Sequence, residues 1–105
     1  MTTEQKADAL IESVKNWGRA RNITNPDKQT LKVIEEASEI VREIVRGRYD
    51  SIDLQDAIGD TTVTLIVLAD ILGYDFLECL ELAYDTIKDR TGKTKDGTFV
   101  KSDDQ

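Results

Sequence analysis

The residues best suited to chemistry in this sequence are acids spaced as on one face of a helix. They form two groups of three: Glu35, Glu36 and Glu39, and then Asp53, Asp56 and Asp60. The three- and four-residue spacings within each group place its carboxylates on one side of a helix. Two adjacent helices with such groups can aim them into a shared cleft, where carboxylate oxygens provide the hard ligands that Mg²⁺ or Mn²⁺ prefers.

The same acids also have a simpler interpretation. Lys32, Arg42 and Arg46 lie about one helical turn from them, so the acids can form solvated faces held by ion pairs. Like charges at this spacing destabilise a helix by about 0.2–0.5 kcal/mol per pair unless a cation offsets them. Spacing alone leaves both interpretations open, the metal cleft and the solvated surface.

Composition narrows the available chemistry. The chain has 105 residues, no His and one Cys, so carboxylates must do any acid–base work, and an internal disulfide or a Cys-based zinc site is excluded. It has 14 Lys and Arg against 21 Asp and Glu, and the net charge of −7 disfavours binding to a phosphate backbone. The sequence contains no apolar run of membrane-spanning length and no signal-peptide pattern. We expect a single-domain cytoplasmic protein that binds neither nucleic acid nor membranes.

Four segments predict helices, at about 3–21, 26–47, 51–73 and 76–92. Asn25, Ser51 and Asp75 are each suited to cap the helix that follows. Residues 93–105 predict a short extended tail, and we expect 1–2 and about 101–105 to be flexible. The expected fold is an all-α, four-helix bundle-like domain over residues 1–105.

The third segment holds a β-branched run, TTVTLIVL at 61–68, that resembles a strand in isolation. Its periodicity continues on both sides without a turn signal, so we predict a helix. A helix that is apolar all round must be buried on several sides, which predicts bundle packing and a subunit contact. In the fourth segment, Cys79 is predicted to be a small buried residue.

The acid groups also carry a family resemblance. The sequence EEASE at 35–39, followed by DAIGD at 56–60, resembles the EExxE and ExxD signature of the all-α MazG-like nucleoside triphosphate pyrophosphohydrolases. The ending, at 84–101, resembles small single-domain members of that family, which are often encoded by bacteriophages. One position departs from the signature: the first acid of ExxD falls on Ala57, which cannot bind a cation. Asp56, one turn before Asp60, is the natural substitute.

The resemblance implies a fold, an activity and a set of site residues. Members hydrolyse a nucleoside triphosphate to the monophosphate and pyrophosphate, with Mg²⁺ held by helix carboxylates and Mn²⁺ as a possible substitute. The implied metal ligands are Glu36, Glu39, Asp56 and Asp60. Glu35 and Glu39 are the implied catalytic residues, with Glu35 as the general base for the attacking water.

The implied substrate-binding residues are Trp17, Tyr84, Lys88, Arg90 and Lys93. The three cations would contact phosphate, although cations at a helix end also complement the helix dipole. The two aromatics would stack on a base, although each also suits a core or an interface. Arg21, four residues after Trp17, is placed to cover its ring.

Two other function classes remain open beside the enzyme. Ala57 favours a catalytically silent helical module that binds a nucleotide or a protein through the same cleft. The solvated-surface interpretation predicts an acidic interaction protein without magnesium affinity. For the enzyme we expect a homodimer or homotetramer in bacterial or phage-infected cytosol, because four short helices cannot easily enclose a nucleotide.

Overall fold

The computed structural model describes residues 1–102, which form four helices followed by a two-stranded antiparallel sheet. The elements are α1 (Thr3–Ala20), α2 (Pro26–Val45), α3 (Ile52–Ile71), α4 (Phe76–Ile87), β1 (Gly92–Lys95) and β2 (Thr98–Lys101). The four predicted helices and the largely helical fold are confirmed. The fourth helix ends earlier than predicted, because the chain turns at Lys88 and enters β1 a few residues later.

Each helix begins at a side-chain cap. Asn25, Ser51 and Asp75 accept a hydrogen bond from the backbone N–H three residues later, as predicted. Thr2 does the same for α1 and forms a reciprocal capping box with Gln5. Two residues of the ends predicted to be flexible are therefore held in regular structure: Thr2 caps α1, and Lys101 is the last residue of β2. Residues 103–105 lie outside the described residues.

Helix α3 is the centre of the fold, and α2 packs along it in the antiparallel direction. Gln29, near the start of α2, donates to the Thr64 carbonyl in the second half of α3 at 3.2 Å. At the other end, Glu43 of α2 lies against Ser51, which precedes α3. The buried apolar side chains all belong to α3: Leu54, Ala57, Ile66, Val67 and Ala69.

The β-branched run at 61–68 lies within α3, as predicted. The hydroxyls of Thr61 and Thr62 donate to carbonyls four residues earlier, and Thr64 donates to the Thr61 carbonyl. The Thr side chains therefore satisfy their polar atoms within the helix. No helix within residues 1–102 has the length and apolar character needed to cross a membrane.

The predicted extended tail is a hairpin. Gly92 pairs with Lys101 and Lys95 pairs with Thr98, which leaves Asp96 and Gly97 as a two-residue turn. Both turn residues have positive φ, at 51° and 76°, which a tight hairpin turn requires and an Asp-Gly pair supplies.

Helix α1 is tied to the end of α3 by an ion pair. Asp70 accepts hydrogen bonds from Arg19 Nε at 2.8 Å and Nη2 at 2.7 Å. Nearby, Gly18 is buried against Val67, whose methyl carbons lie 3.4 Å from where a Cβ would be. These contacts fix α1 on the central helix.

The pair between Arg19 and Asp70 predicts a pH-dependent stability. The hydrogen bonds from Arg19, with its charge, hold the pKa of Asp70 below its ordinary value. Such a carboxylate stabilises the fold above its ordinary pKa and loses that effect as pH falls through the folded-state value. We expect Asp70→Asn to lower the thermal midpoint at pH 7 and the difference to shrink below about pH 4. A difference that is equal at pH 7 and pH 3 would contradict this.

Gly59 lies in the middle of α3 but makes no close approach to a neighbour. No atom outside its own helix lies within 4 Å of a Cβ built there. Gly59→Ala should therefore raise the free energy of unfolding by about 1 kcal/mol, since Ala is the better helix former. Gly73→Ala is the control and should destabilise, because Gly73 has φ of +78°. Urea denaturation measures both, and a loss of stability in Gly59→Ala would refute the expectation.

Candidate functional site

An acidic cleft runs between α2 and α3. Its volume is about 380 Å³, and it is lined by Glu36, Glu39, Glu43, Asp53, Asp56, Ala57 and Asp60. Six of the seven lining residues are acids, three from α2 and three from α3. The four predicted metal ligands therefore lie in one cleft.

Helix geometry explains why these acids meet. Glu36, Glu39 and Glu43 follow one another by three and four residues along α2, and Asp53, Asp56 and Asp60 do so along α3. Because the two helices are antiparallel, the start of one group lies opposite the end of the other. Glu36 is thus near enough to Asp60 for their charges to interact.

The cleft holds more negative charge than the protein compensates: the charge of Lys32 lowers the pKa of Glu36, but burial and the neighbouring acids outweigh it. No Lys or Arg in residues 1–102 forms an ion pair with Glu36, Asp53, Asp56 or Asp60. Partial burial, with repulsion from Asp60, Glu35 and Glu39, raises the pKa of Glu36. Partial burial also raises the pKa of Asp60, helped by the charge of Asp56 and by a hydrogen bond that protonated Asp60 donates to the Asp56 carboxylate. A bound cation would relieve both effects.

Two acids of the cleft have cationic neighbours. Arg42 Nη1 donates to Glu39 at 2.8 Å, as the solvated-surface interpretation predicts. Glu43 is buried and lies 3.7 Å from Arg48 Nη1, while the Ser51 hydroxyl donates to it at 3.4 Å. Glu43 therefore lies at one end of the cleft, where its neighbours hold the side chain in place and Arg48 partly neutralises its charge.

Ala57 and Asp56 both line the cleft on the α3 side, but they differ in burial. Ala57 is buried in the core and lines the cleft floor, so an acid there would reach the cleft directly. Asp56 is exposed and lies one position away, with its carboxyl close enough to share a hydrogen bond with Asp60. The structure thus brings Asp56 to the Asp60 end of the cleft, as the substitution argument requires.

The donor set fits a hard divalent cation in its chemistry. Carboxylate oxygens from two helices line one space, and burial, with repulsion from neighbouring acids, raises the pKa values of Glu36 and Asp60. Within residues 1–102, however, no three ligating side chains already converge on one point that could hold an ion. Binding would therefore require the side chains to rotate inward.

Glu35 does not line the cleft. Its side chain is exposed, and Lys32 Nζ donates to it at 3.3 Å. The structure thus places Glu35 outside the cleft lining, although its charge still acts on Glu36. Lys32 and Arg42 each pair with an acid one turn away, as the solvated-surface interpretation predicts, whereas no such pair is formed by Arg46 in the described chain.

A second cavity adjoins the acidic cleft, and Glu36 and Asp60 line both. Its volume is about 370 Å³, and its lining is Trp17, Ile23, Gln29, Lys32, Glu36, Asp60, Val63, Thr64 and Val67. The Arg21 guanidinium lies 4.5 Å from the centre of the Trp17 ring, which confirms the predicted contact. Trp17 therefore lines the same cavity as the acids Glu36 and Asp60, and this cavity contains both polar and apolar side chains.

The other predicted substrate residues lie elsewhere. Tyr84, Lys88, Arg90 and Lys93 line neither the acidic cleft nor the adjoining cavity. Lys88 pairs with Asp85 at 3.3 Å, and Lys93 is in β1. Within one chain, the fold does not bring these residues to the acids.

Some residues of the site were not assigned from the sequence. Glu43 lies two helical turns after Glu36 and could have been included on that spacing. Gln29 and Lys32 line the adjoining cavity, and Gln29 is buried and anchored on Thr64. No local pattern marks Gln29, since its position depends on how α2 packs against α3.

Comparisons with known proteins do not assign this chain. No protein-family model, no curated protein and no solved structure matched it. The resemblance to MazG-like enzymes therefore remains a prediction carried by the motif residues.

Proposed function

We propose that the protein is a Mg²⁺-dependent nucleoside triphosphate pyrophosphohydrolase with a MazG-type helical fold. It would cleave the bond between the α- and β-phosphates with one water molecule, giving a nucleoside monophosphate and pyrophosphate. The observation that carries the proposal is the acidic cleft: carboxylates of α2 and α3 line one space, four of the six form no ion pair within residues 1–102, and the pKa values of Glu36 and Asp60 are raised. Such charge is costly to maintain and favours a cation-binding role.

The carboxylates have distinct tasks in this proposal. Glu36, Glu39, Asp56 and Asp60 would hold the metal from two sides of the cleft. When bound, Mg²⁺ supplies neutralisation of the phosphate oxygens and a more acidic water. Glu43 would keep the end of the cleft rigid, because it is buried and held by Ser51 and Arg48. Glu35 is the proposed general base, at the rim outside the cleft lining, and Glu35→Gln tests this role.

The adjoining cavity supports a place for the rest of the nucleotide. It shares Glu36 and Asp60 with the cleft and offers the ring of Trp17 for stacking. Its volume of about 370 Å³ is within the range of small-molecule sites. Lys32 also lines it and could neutralise phosphate charge. We propose that the base and sugar lie here, with the triphosphate extending into the acidic cleft.

The test is incubation of the purified protein with a panel of common and modified nucleoside triphosphates and Mg²⁺. The proposal predicts equal amounts of monophosphate and pyrophosphate from at least one substrate, and none in the presence of EDTA. Release of inorganic phosphate with a diphosphate would contradict the assigned bond cleavage. Absence of product from the whole panel would contradict the enzyme proposal.

A second candidate is a nucleotide-binding module without turnover. Ala57, which leaves the family signature one acid short, and the absence of converged ligands in the described chain both favour it. Isothermal titration calorimetry separates the two candidates. Affinity for a nucleotide with Mg²⁺, together with no hydrolysis over a long incubation, would establish the module and reject the enzyme.

We also propose that the functional form is a homodimer or a homotetramer. Tyr84, Lys88, Arg90 and Lys93 lie away from the cleft of their own chain, so their proposed phosphate and base contacts would need another copy. Charge-reversal of Arg90 should then impair hydrolysis only in the assembled protein.

A further inference from the structure

Gln29 is a buried polar side chain in the wall of the adjoining cavity. It is 7% exposed, and its Nε2 donates to the Thr64 carbonyl of α3 at 3.2 Å. Within residues 1–102, no donor forms a hydrogen bond to the other polar atom of this amide, Oε1. The same residues contain no side-chain oxygen or nitrogen that is both unpaired and sealed from solvent. Oε1 is therefore unpaired and opens into the cavity that Gln29 lines.

The contact with Thr64 determines which end of the amide faces the cavity. A free amide side chain can turn over and exchange the places of its oxygen and nitrogen, but the Thr64 carbonyl is an acceptor and can pair only with Nε2. Turning the amide over would bring Oε1 against that carbonyl and leave two buried acceptors facing each other. Gln29 therefore presents a fixed carbonyl oxygen to the cavity.

Thr64 contributes a second acceptor to the same wall. Its hydroxyl donates its hydrogen to the Thr61 carbonyl at 2.7 Å, so Oγ1 has only lone pairs left to offer a ligand. Thr64 lines the cavity beside Gln29, with which it is in contact. This wall therefore offers two neighbouring acceptors, and a ligand that pairs with both must supply two N–H or O–H donors.

A flat aromatic ligand can reach these acceptors with its edge. Trp17 lines the same cavity as Gln29 and Thr64. A base stacked on the Trp17 ring directs its edge, and not its face, at the other walls of the cavity. Bases differ at this edge: an exocyclic amino group has two N–H donors, whereas an oxo group is only an acceptor.

We propose that Gln29 and Thr64 select nucleotides whose base carries an exocyclic amino group, as in cytosine and adenine, over those with an oxo group in its place, as in uracil and hypoxanthine. The amino group donates one N–H to Gln29 Oε1 and the other to Thr64 Oγ1. An oxo group there would place a third acceptor against these two and leave all three unpaired. The inference rests on the proposed function, because that proposal places the base in this cavity.

The test compares nucleotides that differ only in this group: dCTP with dUTP, and dATP with dITP. Their α,β-imido analogues, in which the bridging oxygen is replaced, are titrated with Mg²⁺ into the full chain by isothermal titration calorimetry. We expect the amino member to bind at least about 10-fold more tightly than its oxo partner in at least one pair. Equal affinity within both pairs, tighter binding of the oxo members, or no binding of any analogue would overturn the inference.

Gln29→Leu tests whether this residue is responsible for the preference. Leu is close to Gln in size, and the Thr64 carbonyl keeps its hydrogen bond within α3. We expect the preference for the amino member to fall to within about twofold. Thr30→Leu is the matched control on the next, exposed residue outside the cavity, and it should keep the wild-type ratio. A Gln29 that only supports the fold would weaken both members equally, and an unchanged ratio in Gln29→Leu would overturn its assignment.

These measurements separate the inference from the proposed hydrolysis. Turnover of both members of each pair at one rate, with equal affinities, would reject the selection by Gln29 and keep the enzyme. Preferential binding of the amino members without turnover would reject the enzyme and keep the selection. The wild-type ratio needs no variant, so it decides the inference even if Gln29→Leu fails to fold.

Discussion

Asp60→Asn is expected to lower the rate of nucleoside triphosphate hydrolysis by about 100-fold or more. Asp60 faces Glu36 and neighbours Asp56 in the cleft, so the change removes a proposed metal ligand from the centre of the site. A metal in such a site stabilises the transition state by several kcal/mol, and about 2.7 kcal/mol corresponds to 100-fold in rate. The measurement is steady-state release of pyrophosphate at saturating Mg²⁺.

Two further variants make this prediction specific. Glu12→Gln removes an acid that lies on α1 and pairs with Lys15 outside the cleft, and it should leave the rate within about twofold. Glu35→Gln tests the general base: a loss of at least about 100-fold would support that role, and a wild-type rate would reject it. Equal activity of Asp60→Asn and the wild type would reject the cleft as the active site.

The second large effect is on stability, and its sign depends on magnesium. At a Mg²⁺ concentration a hundred times its dissociation constant, the wild type should gain about 2.7 kcal/mol in the free energy of unfolding. Asp60→Asn should lose most of this gain. Thermal or urea denaturation with and without Mg²⁺ measures the difference for both proteins.

Without magnesium, the same variant should be more stable than the wild type at pH 7. Burial and Asp56 raise the pKa of Asp60, so its charged form destabilises the fold. A carboxyl with a raised folded-state pKa contributes stability below its ordinary pKa and loses it as pH rises through the raised value. The advantage of Asp60→Asn should therefore disappear near pH 4. A variant less stable than the metal-free wild type at pH 7 would show that Asp60 serves the fold rather than a cation.

Local chemistry was enough to predict most of the fold. Capping residues and apolar periodicity located all four helices, because Asn25, Ser51 and Asp75 satisfy backbone donors within their own turn. The β-branched run in α3 was assigned correctly from its flanking periodicity. The hairpin was missed, although Asp96 and Gly97 form a turn-favouring pair, because only β2 is rich in strand-favouring residues and β1 has the sequence GKTK.

The candidate site was predictable where it depends on spacing within one helix. The acids of α2 and those of α3 each share a face, and the antiparallel packing of these neighbouring helices brings the two faces together. The sequence places Glu35 on the same side of α2 as Glu36 and Glu39, but its side chain lies outside the cleft. Which of these side chains faces α3 depends on how the two helices pack. Spacing within α2 does not determine this packing.

The positions of α4 residues could not be predicted from local patterns. Cys79 has the type and spacing of a core residue, yet it is exposed. Nothing in its own helix reveals that α3 covers only part of α4. The same holds for Lys88 and Arg90, whose distance from the acids depends on the packing of α4 and not on spacing.

The most direct measurement is a crystal structure grown with Mn²⁺ and a non-hydrolysable nucleoside triphosphate analogue, using the anomalous signal of manganese. We expect an anomalous peak within coordination distance of Glu36 and Asp60, with the phosphates of the analogue on the open side of the metal. An analogue bound with manganese on another surface, or carboxylates still turned apart around an empty cleft, would contradict it.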